Sequence, residues 1–290
     1  MTLFANHHAH SHFSDGALSP EDYVKRAIFQ NLKVYGFSDH APIPSQWVGI
    51  MEMDQLRAYL REVDRLKEVY AKNIQLYKGL EVDYIPGVID LNAAYIREAG
   101  LDYTIGAVHY VDQLPNGRPW GFQSSHEKFQ TGLDQIFGGD VRACIRRYYA
   151  LIREMLGVSP PDIVAHLDRV KRLNRGDRYF CEQDSWYQEE VRLTLEAIAE
   201  AGVILEINTK GYYNEVTEDT YPGKWVLELA WELKIPVHLA SDAHKPDHIT
   251  SGFAFASNQL KQIGYKTQRV LLDGTWQDVP LKRSILSQLF

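Results

Sequence analysis

The stretch His7-His8-Ala9-His10-Ser11-His12-Phe13-Ser14-Asp15-Gly16 puts four imidazoles and a carboxylate within ten residues. Crowding titratable rings does not stabilise a soluble protein, because each must be solvated or partnered. Metal coordination gives it a purpose, since neutral imidazole is the commonest protein ligand for transition metals. A tag or polar tail could also be histidine-rich, but here the rings are interrupted and lead straight into a capped helix. His8 and His10 are two apart, so on extended backbone they point to the same side and can chelate one ion. Asp242 and His244 repeat that spacing, and Asp15 follows His10 closely enough to reach a neighbouring ion.

The elements that must position these groups alternate along the chain. Leu3 to His8 reads as a first strand. Ser19-Pro20-Glu21-Asp22 is a helix start, with an N-cap hydroxyl, Pro at N1 and acids facing the positive helix end. That helix runs to about residue 31, and residues 33–38 form a second strand ending on Asp39-His40. Leu56, Leu60, Val63, Leu66 and Tyr70 mark an amphipathic helix, and residues 74–80 a strand ending on Glu81. A short helix is predicted over 88–99 and a strand over 103–108 ending on His109. A long excursion turns at Pro115-Asn116-Gly117, with helices at 126–137 and 140–157. Strands follow at 162–165 before His166, at 203–207 bearing Glu206 and Asn208, and at 236–240 before Asp242. Between and after them lie helices at 184–201, 223–234 and 252–263, then a strand at 268–272.

Strand, loop and helix recur about seven times, the signature of parallel β/α units. A closed barrel would bring every strand C-terminus to one mouth. An open doubly wound sheet is the alternative, but no glycine-rich dinucleotide or P-loop fingerprint follows any strand. Six of the eleven histidines fall at predicted strand ends. His8, His10, Asp15, His40, Glu81, His109, His166, Asp242 and His244 would then converge. That is more than one or two ions need, and three divalent ions sharing a bridging carboxylate and a hydroxide would use them all. Three such ions against Asp15, Glu81 and Asp242 leave about +3 before any hydroxide, which suits a small anionic substrate such as a phosphate ester. The N and O donors are compatible with Zn, Mn or Fe alike.

The rest of the 290-residue composition bounds the reading. A net charge of −7 argues against a general nucleic-acid or anionic-membrane binder. Cys144 and Cys181 have neither disulfide-framework nor thiolate-metal spacing, and Cys144 reads as a core residue. No apolar run reaches spanning length and no signal-peptide core opens the chain, so the expectation is a cytosolic protein of one barrel domain over 1–290.

The motifs resemble the PHP (polymerase and histidinol phosphatase) family. The match includes His8-Ala9-His10-Ser11 with Ser14-Asp15-Gly16, Ser38-Asp39-His40, Glu81, Gly106-Ala107-Val108-His109, His166-Leu167-Asp168 and Ser241-Asp242-Ala243-His244. Residues 36–42 (GFSDHAP) and 79–87 (GLEVDYIPG) are more particularly similar to the monofunctional histidinol-phosphate phosphatases. The resemblance implies a distorted (β/α)7 TIM-like barrel and a three-metal phosphoesterase site. It implies that His8, His10, Glu81 and Asp242 hold one ion, Glu81, His109 and His166 a second, and Asp15, His40 and His244 the third. The chain departs from the family pattern at Asn6-His7, at Gln123 where an acid is common, and at Gly211, where Tyr212 follows and Lys210 is the nearest cation.

The implied reaction is hydrolysis of a phosphomonoester, L-histidinol phosphate, by a metal-bridging hydroxide attacking phosphorus in line. Arg169, Lys171, Arg172 and Lys210 are candidates to share the transition-state charge, each equally readable as an exposed cation. Tyr110 and Trp120 are candidate substrate contacts, with Trp47 and Tyr84 as further members of an aromatic rim, or else core. His7 reads as a packed wall residue, His12 as a pocket candidate, His238 as a satisfied core histidine, His126 as surface and His248 as a possible substrate contact. Asp39 and Asp168 adjoin ligands and are expected to orient imidazoles. Two other classes remain: a phosphoesterase acting on another small ester or nucleotide end, and a non-catalytic metal-binding module.

Overall fold

Helix starts and strand ends follow from local chemistry. The computed structural model describes residues 5–44, 51–122 and 125–281. Strand β1 (Ala5–Asn6) leads through the histidine loop to α1 (Pro20–Phe29), where Ser19 and Asp22 form a reciprocal capping box. Then come β2 (Val34–Phe37), α2 (Leu56–Val69), β3 (Gln75–Asp83), the single turn α3 (Ala94–Arg97) and β4 (Tyr103–Ala107). The excursion holds β5 (Tyr110–Gln113), β6 (Pro119–Gly121), α4 (His126–Phe137) and α5 (Val141–Val158). Next are β7 (Ile163–Val164), α6 (Ser185–Ala201), β8 (Ile204–Asn208), α7 (Lys210–Tyr213), α8 (Lys224–Glu232) and β9 (Val237–Ala240). Helix α9 (Phe253–Ile263) and the hairpin β10 (Thr267–Leu272) and β11 (Thr275–Pro280) complete the described chain.

Seven strands pair in the order β1-β2-β3-β4-β7-β8-β9, every ladder parallel. The sheet's two edges meet through one parallel bridge, Ala9 to Ala243, where the His10 amide donates to the Ala243 carbonyl at 2.9 Å. This is the expected distorted (β/α)7 barrel, and its seam is one bridge wide. Because the strands are parallel, their C-terminal ends open on one mouth.

The opposite end is plugged. Ala5, Val34, Tyr103, Ile163 and Ile204, each at the start of its strand, form one apolar cluster with Val270, Leu271 and Val279 of the β10–β11 hairpin. Above it the Tyr103 ring crosses the interior over Gly36 and Gly79, with its hydroxyl 2.6 Å from the His7 carbonyl and 2.7 Å from that of Phe37. A Cβ on Gly79 would lie 2.5 Å from the ring. Gly79→Ala is therefore expected to cost about 1–3 kcal/mol by overpacking. A thermal melt checks this, and an unchanged midpoint would mean that the floor yields.

Several expectations are corrected. The helix predicted over 88–99 shrinks to one turn because polar turn chemistry claims the segment first. Ile85 pairs with Ile89, and the Asp90 carboxylate accepts from the Asn92 amide at 2.6 Å. The turn at Pro115-Asn116-Gly117 joins two short strands that break the excursion, with Tyr110 opposite Gly121 and Gln113 opposite Pro119. Leu3 and Phe4 of the predicted first strand lie outside the described residues.

Candidate metal centre

Six of the seven barrel strands deliver the predicted ligands to the mouth. His8 lies two residues beyond β1, His109 two beyond β4, His166 two beyond β7 and Asp242 two beyond β9. His40 pairs with Glu81 in an isolated parallel bridge, which aligns the end of β2 with β3. Alternation alone would turn His166 outward, since Ala165 lines the barrel and Val164 packs outside. A left-handed backbone at His166 (φ 25°) breaks the alternation, and Asp242 is left-handed too (φ 49°).

Glu81 is the hub. One carboxylate oxygen lies 3.0 Å from His40 Nδ1, 3.4 Å from His8 Nε2 and 3.5 Å from His10 Nε2. The other lies 3.1 Å from His166 Nε2 and 3.7 Å from His109 Nε2. Around it the potential donor atoms gather within 4.8 Å of one another as His8, His10 and Asp242; as Glu81, His109 and His166; and as His10, Asp15, His40 and His244. Glu81 stands in the second of these gatherings and not in the first, and His10 stands in both the first and the third. A fourth gathering, His40, Asp83 and His109, was not anticipated.

The donor chemistry fits cations. His8 Nδ1 meets the Glu206 carboxylate, and His109 Nδ1 meets Asp83 Oδ1 at 2.9 Å. A carboxylate accepts, so each Nδ1 carries hydrogen and Nε2 is the ring atom turned to the cluster. Two such nitrogens meet other imidazoles head-on, His8 with His10 at 3.1 Å and His109 with His166 at 3.2 Å. Buried Nδ1 atoms of His10 and His40 have no aligned hydrogen-bond partner, although His40 Nδ1 is 3.0 Å from Glu81. Buried nitrogens that face one another in this way need a cation or protons between them.

The electrostatics agree. Burial alone would raise Glu81 and Asp242, but His8, His40 and His109 around Glu81, and Lys210, His8 and His10 around Asp242, hold both well below the usual carboxylate range. Burial likewise opposes ionisation of Asp15 and Glu206, and their histidine neighbours reverse it. Four ionised carboxylates thus share one mouth. Burial disfavours charge on His8 and His40, yet Glu206, Glu81 and Asp242 raise His8 well above its ordinary value, and Glu81 and Asp15 raise His40 to about 9. His10 is lowered by burial and by His244 and His40. Burial, aided by Arg169 and His109, lowers His166 to about 4 despite its contact with Glu81.

Other predicted residues divide. Lys210 enters the site, its ammonium 3.1 Å from Asp242 Oδ1 and 3.1 Å from His244 Nε2. Arg169 stands near both His166 and Arg172, and Tyr110 is half-buried near Asp83. Lys171 is corrected: its buried ammonium pairs with Asp168 at 2.7 Å, over the Tyr221 ring. Trp120 is also corrected, because its indole packs against Gly132, Phe122, Phe129 and Phe137 and donates to the Lys128 carbonyl at 3.0 Å. Tyr84 is core, whereas Trp47 and Gln123 lie outside the described residues.

Asp39 and Asp168 orient no imidazole. Asp39 instead accepts from the Ser11 amide and from the Ser11 and Ser14 hydroxyls at 2.7–2.9 Å, bracing the loop that carries Asp15. His7 and His238 form a buried pair at 3.3 Å beneath the site, with His238 Nδ1 donating to the Arg269 carbonyl. His12 is exposed and stacks on Phe13, His126 is exposed beside Tyr179, and His248 meets the Tyr213 ring. Glu206, Asp83 and Asn208 join the site without a motif that marks them in the sequence. Their signal was a polar residue at an inward position near a strand's end.

Fold and site together define a β/α barrel with a polynuclear candidate metal centre built from strand ends. The PHP domain model matches residues 6–210, and the chain belongs to the PHP domain family. Over 271 residues it is 29% identical to a Deinococcus radiodurans protein named "Probable histidinol-phosphatase", covering 92% of this chain and 96% of that one. It is 27% identical to the histidinol-phosphatase of Bacillus subtilis over 80% of this chain and 89% of that one. The fold matches that of the Lactococcus lactis histidinol phosphate phosphatase, solved with zinc, L-histidinol and phosphate, at a TM-score of 0.69 and 22% identity, covering 96% of this chain and all of that one (100%).

Proposed function

We propose that this chain is a metal-dependent histidinol-phosphate phosphatase, hydrolysing L-histidinol phosphate to L-histidinol and phosphate in histidine biosynthesis. The observation that carries the chemistry is the gathering of unshared imidazole nitrogens and ionised carboxylates around Glu81. The substrate follows from the curated relatives, which match over most of their length and are named for that reaction.

On this reading His8, His10, Glu81 and Asp242 hold one ion, Glu81, His109 and His166 a second, and Asp15, His40 and His244 a third. The N and O donors suit Zn, Mn or Fe. Bound divalent ions supply Lewis-acid activation of water and of the phosphoryl group. The chain's own part is placement: Glu81 spans two ligand groups, and Asp39 fixes the loop bearing Asp15. Lys210 and Arg169 border the ligands and share the charge that builds on the phosphoryl oxygens. Arg172 and Tyr110 lie one step further out. Among the described residues no helix is long and apolar enough to cross a membrane, and on this reading the enzyme works in the cytosol.

Phosphate release from metal-reconstituted protein tests the reading. Histidinol phosphate should be turned over with kcat/KM at least roughly tenfold above a generic aryl phosphate. Equal rates would remove histidinol phosphate as the substrate, and faster release from nucleotides would move the activity to that class. No turnover with any metal would leave a non-catalytic metal module.

A further inference from the structure

Strand β8 is the one barrel strand that contributes none of the nine candidate ligands, yet its two inward polar side chains near the mouth, Glu206 and Asn208, are fully buried. One Glu206 oxygen meets His8 Nδ1 from β1. The other accepts from the His166 amide beyond β7 at 2.7 Å and from Asn208 Nδ2 at 3.1 Å. Asn208 Nδ2 also donates to Asp242 Oδ2 beyond β9 at 3.1 Å, and its carbonyl oxygen accepts from the Lys210 amide at 2.9 Å. Those bonds fix the amide's orientation, since the flipped form would set its oxygen against two carboxylates. The Asn208 backbone is pinned in turn by two bonds to Tyr221, at 2.8 and 2.9 Å.

We propose that Glu206 is a positioning residue which, with Asn208, forms a bracket on β8 that sets the His8 tautomer and holds His8, His166 and Asp242 in register for metal binding. This rests on the metal-dependent reading above. Glu206 is the hydrogen-bond partner of His8 Nδ1 among the described residues, so its carboxylate keeps hydrogen there and leaves Nε2 as the ligand atom that faces His10, Glu81 and Asp242. The same residue holds the left-handed turn at His166 through its amide. Both oxygens must accept, which a carboxylate does and a carboxamide cannot. In Glu206→Gln the NH2 must face either the His166 N–H, donor against donor, or His8 Nδ1, which would shift hydrogen to Nε2 and block the ligand atom.

Zinc affinity, measured against a chromophoric chelator, and the visible spectrum of cobalt-loaded protein test this apart from catalysis. Glu206→Gln should weaken the metal bound through His8 by roughly 10–100-fold and alter the cobalt spectrum. Glu206→Asp, which keeps two acceptors, should recover part of the loss. In a His8→Ala background Glu206→Gln should add little, because its main route of action is gone. A purely structural role would lower the melting point and leave zinc affinity and spectrum unchanged, and that result overturns the assignment, as would an equal loss in both backgrounds. Should Glu206→Gln not fold, nitrogen-15 NMR of histidine-labelled, zinc-loaded wild type decides: protonated Nδ1 with metal-bound Nε2 on His8 supports the bracket, and metal-bound Nδ1 overturns it. Wild type that binds no divalent metal would sink the metal reading itself, whereas tight wild-type binding with an unaffected variant sinks only the bracket.

Discussion

Glu81→Gln should abolish hydrolysis of histidinol phosphate, lowering kcat/KM by roughly a thousandfold or more. Glu81 is buried with its two oxygens facing five imidazoles, His8, His10 and His40 on one side and His109 and His166 on the other. Asp83 also lies between the two sides, but it gathers only with His40 and His109. The carboxamide removes the charge that offsets His8 and His40, and it directs an N–H donor at rings whose lone pairs should face cations. Metal analysis of the variant should show lost ions, while far-ultraviolet circular dichroism stays as in wild type. A variant within tenfold of wild-type kcat/KM and carrying its full metal complement would remove Glu81 from the centre of the site.

The hub was legible as a type of residue at a type of position, a carboxylate ending a strand between two histidine-ended strands. Its neighbours were legible for the same reason: His109 and Asp242 sit two residues past a strand, and the parallel sheet carries them to one mouth. Glu206 was harder. Its role depends on β8 lying between β7 and β9 and on a cross-barrel reach to His8, neither of which leaves a mark in local spacing. Asp39 and Asp168 show the converse failure. Adjacency to a ligand suggested that they orient imidazoles, but both lie past the ends of their strands, where Asp39 took the loop hydroxyls and Asp168, at the start of the 3-10 turn 169–173, took Lys171. Trp120 was ambiguous from sequence, since an aromatic after a catalytic strand can line a pocket or fill a core. The room left by Gly132 decided for the core. In the fold, the misses were elements whose formation depends on turns: the 110–121 hairpin, the truncated helix near residue 94, the single turn α7, and β11, the second strand of the terminal hairpin.

Stripping metal with a chelator should eliminate activity and lower the melting midpoint by more than about 10 °C. Each ion held at a hundredfold above its Kd adds about 2.7 kcal/mol to the folded state, and a domain of this size shifts by roughly 2–4 °C per kcal/mol. Without metal, the ionised Asp15, Glu81, Glu206 and Asp242 are balanced chiefly by Lys210 and by protons on His8 and His40. That gives binding a definite pH sign. His40 is raised to about 9 and His8 also above its ordinary value, so at pH 7 both carry protons that an incoming ion must expel. Metal affinity should therefore rise with pH up to about 9 and fall steeply in acid. Zinc titrations by calorimetry at pH 7, in buffers of different ionisation enthalpy, should show at least one proton released per site that contains His8 or His40. Zero release would contradict the protonated starting state. A midpoint unmoved by chelation, in protein shown to have lost its metal, would mean that the barrel's apolar floor alone supports the mouth.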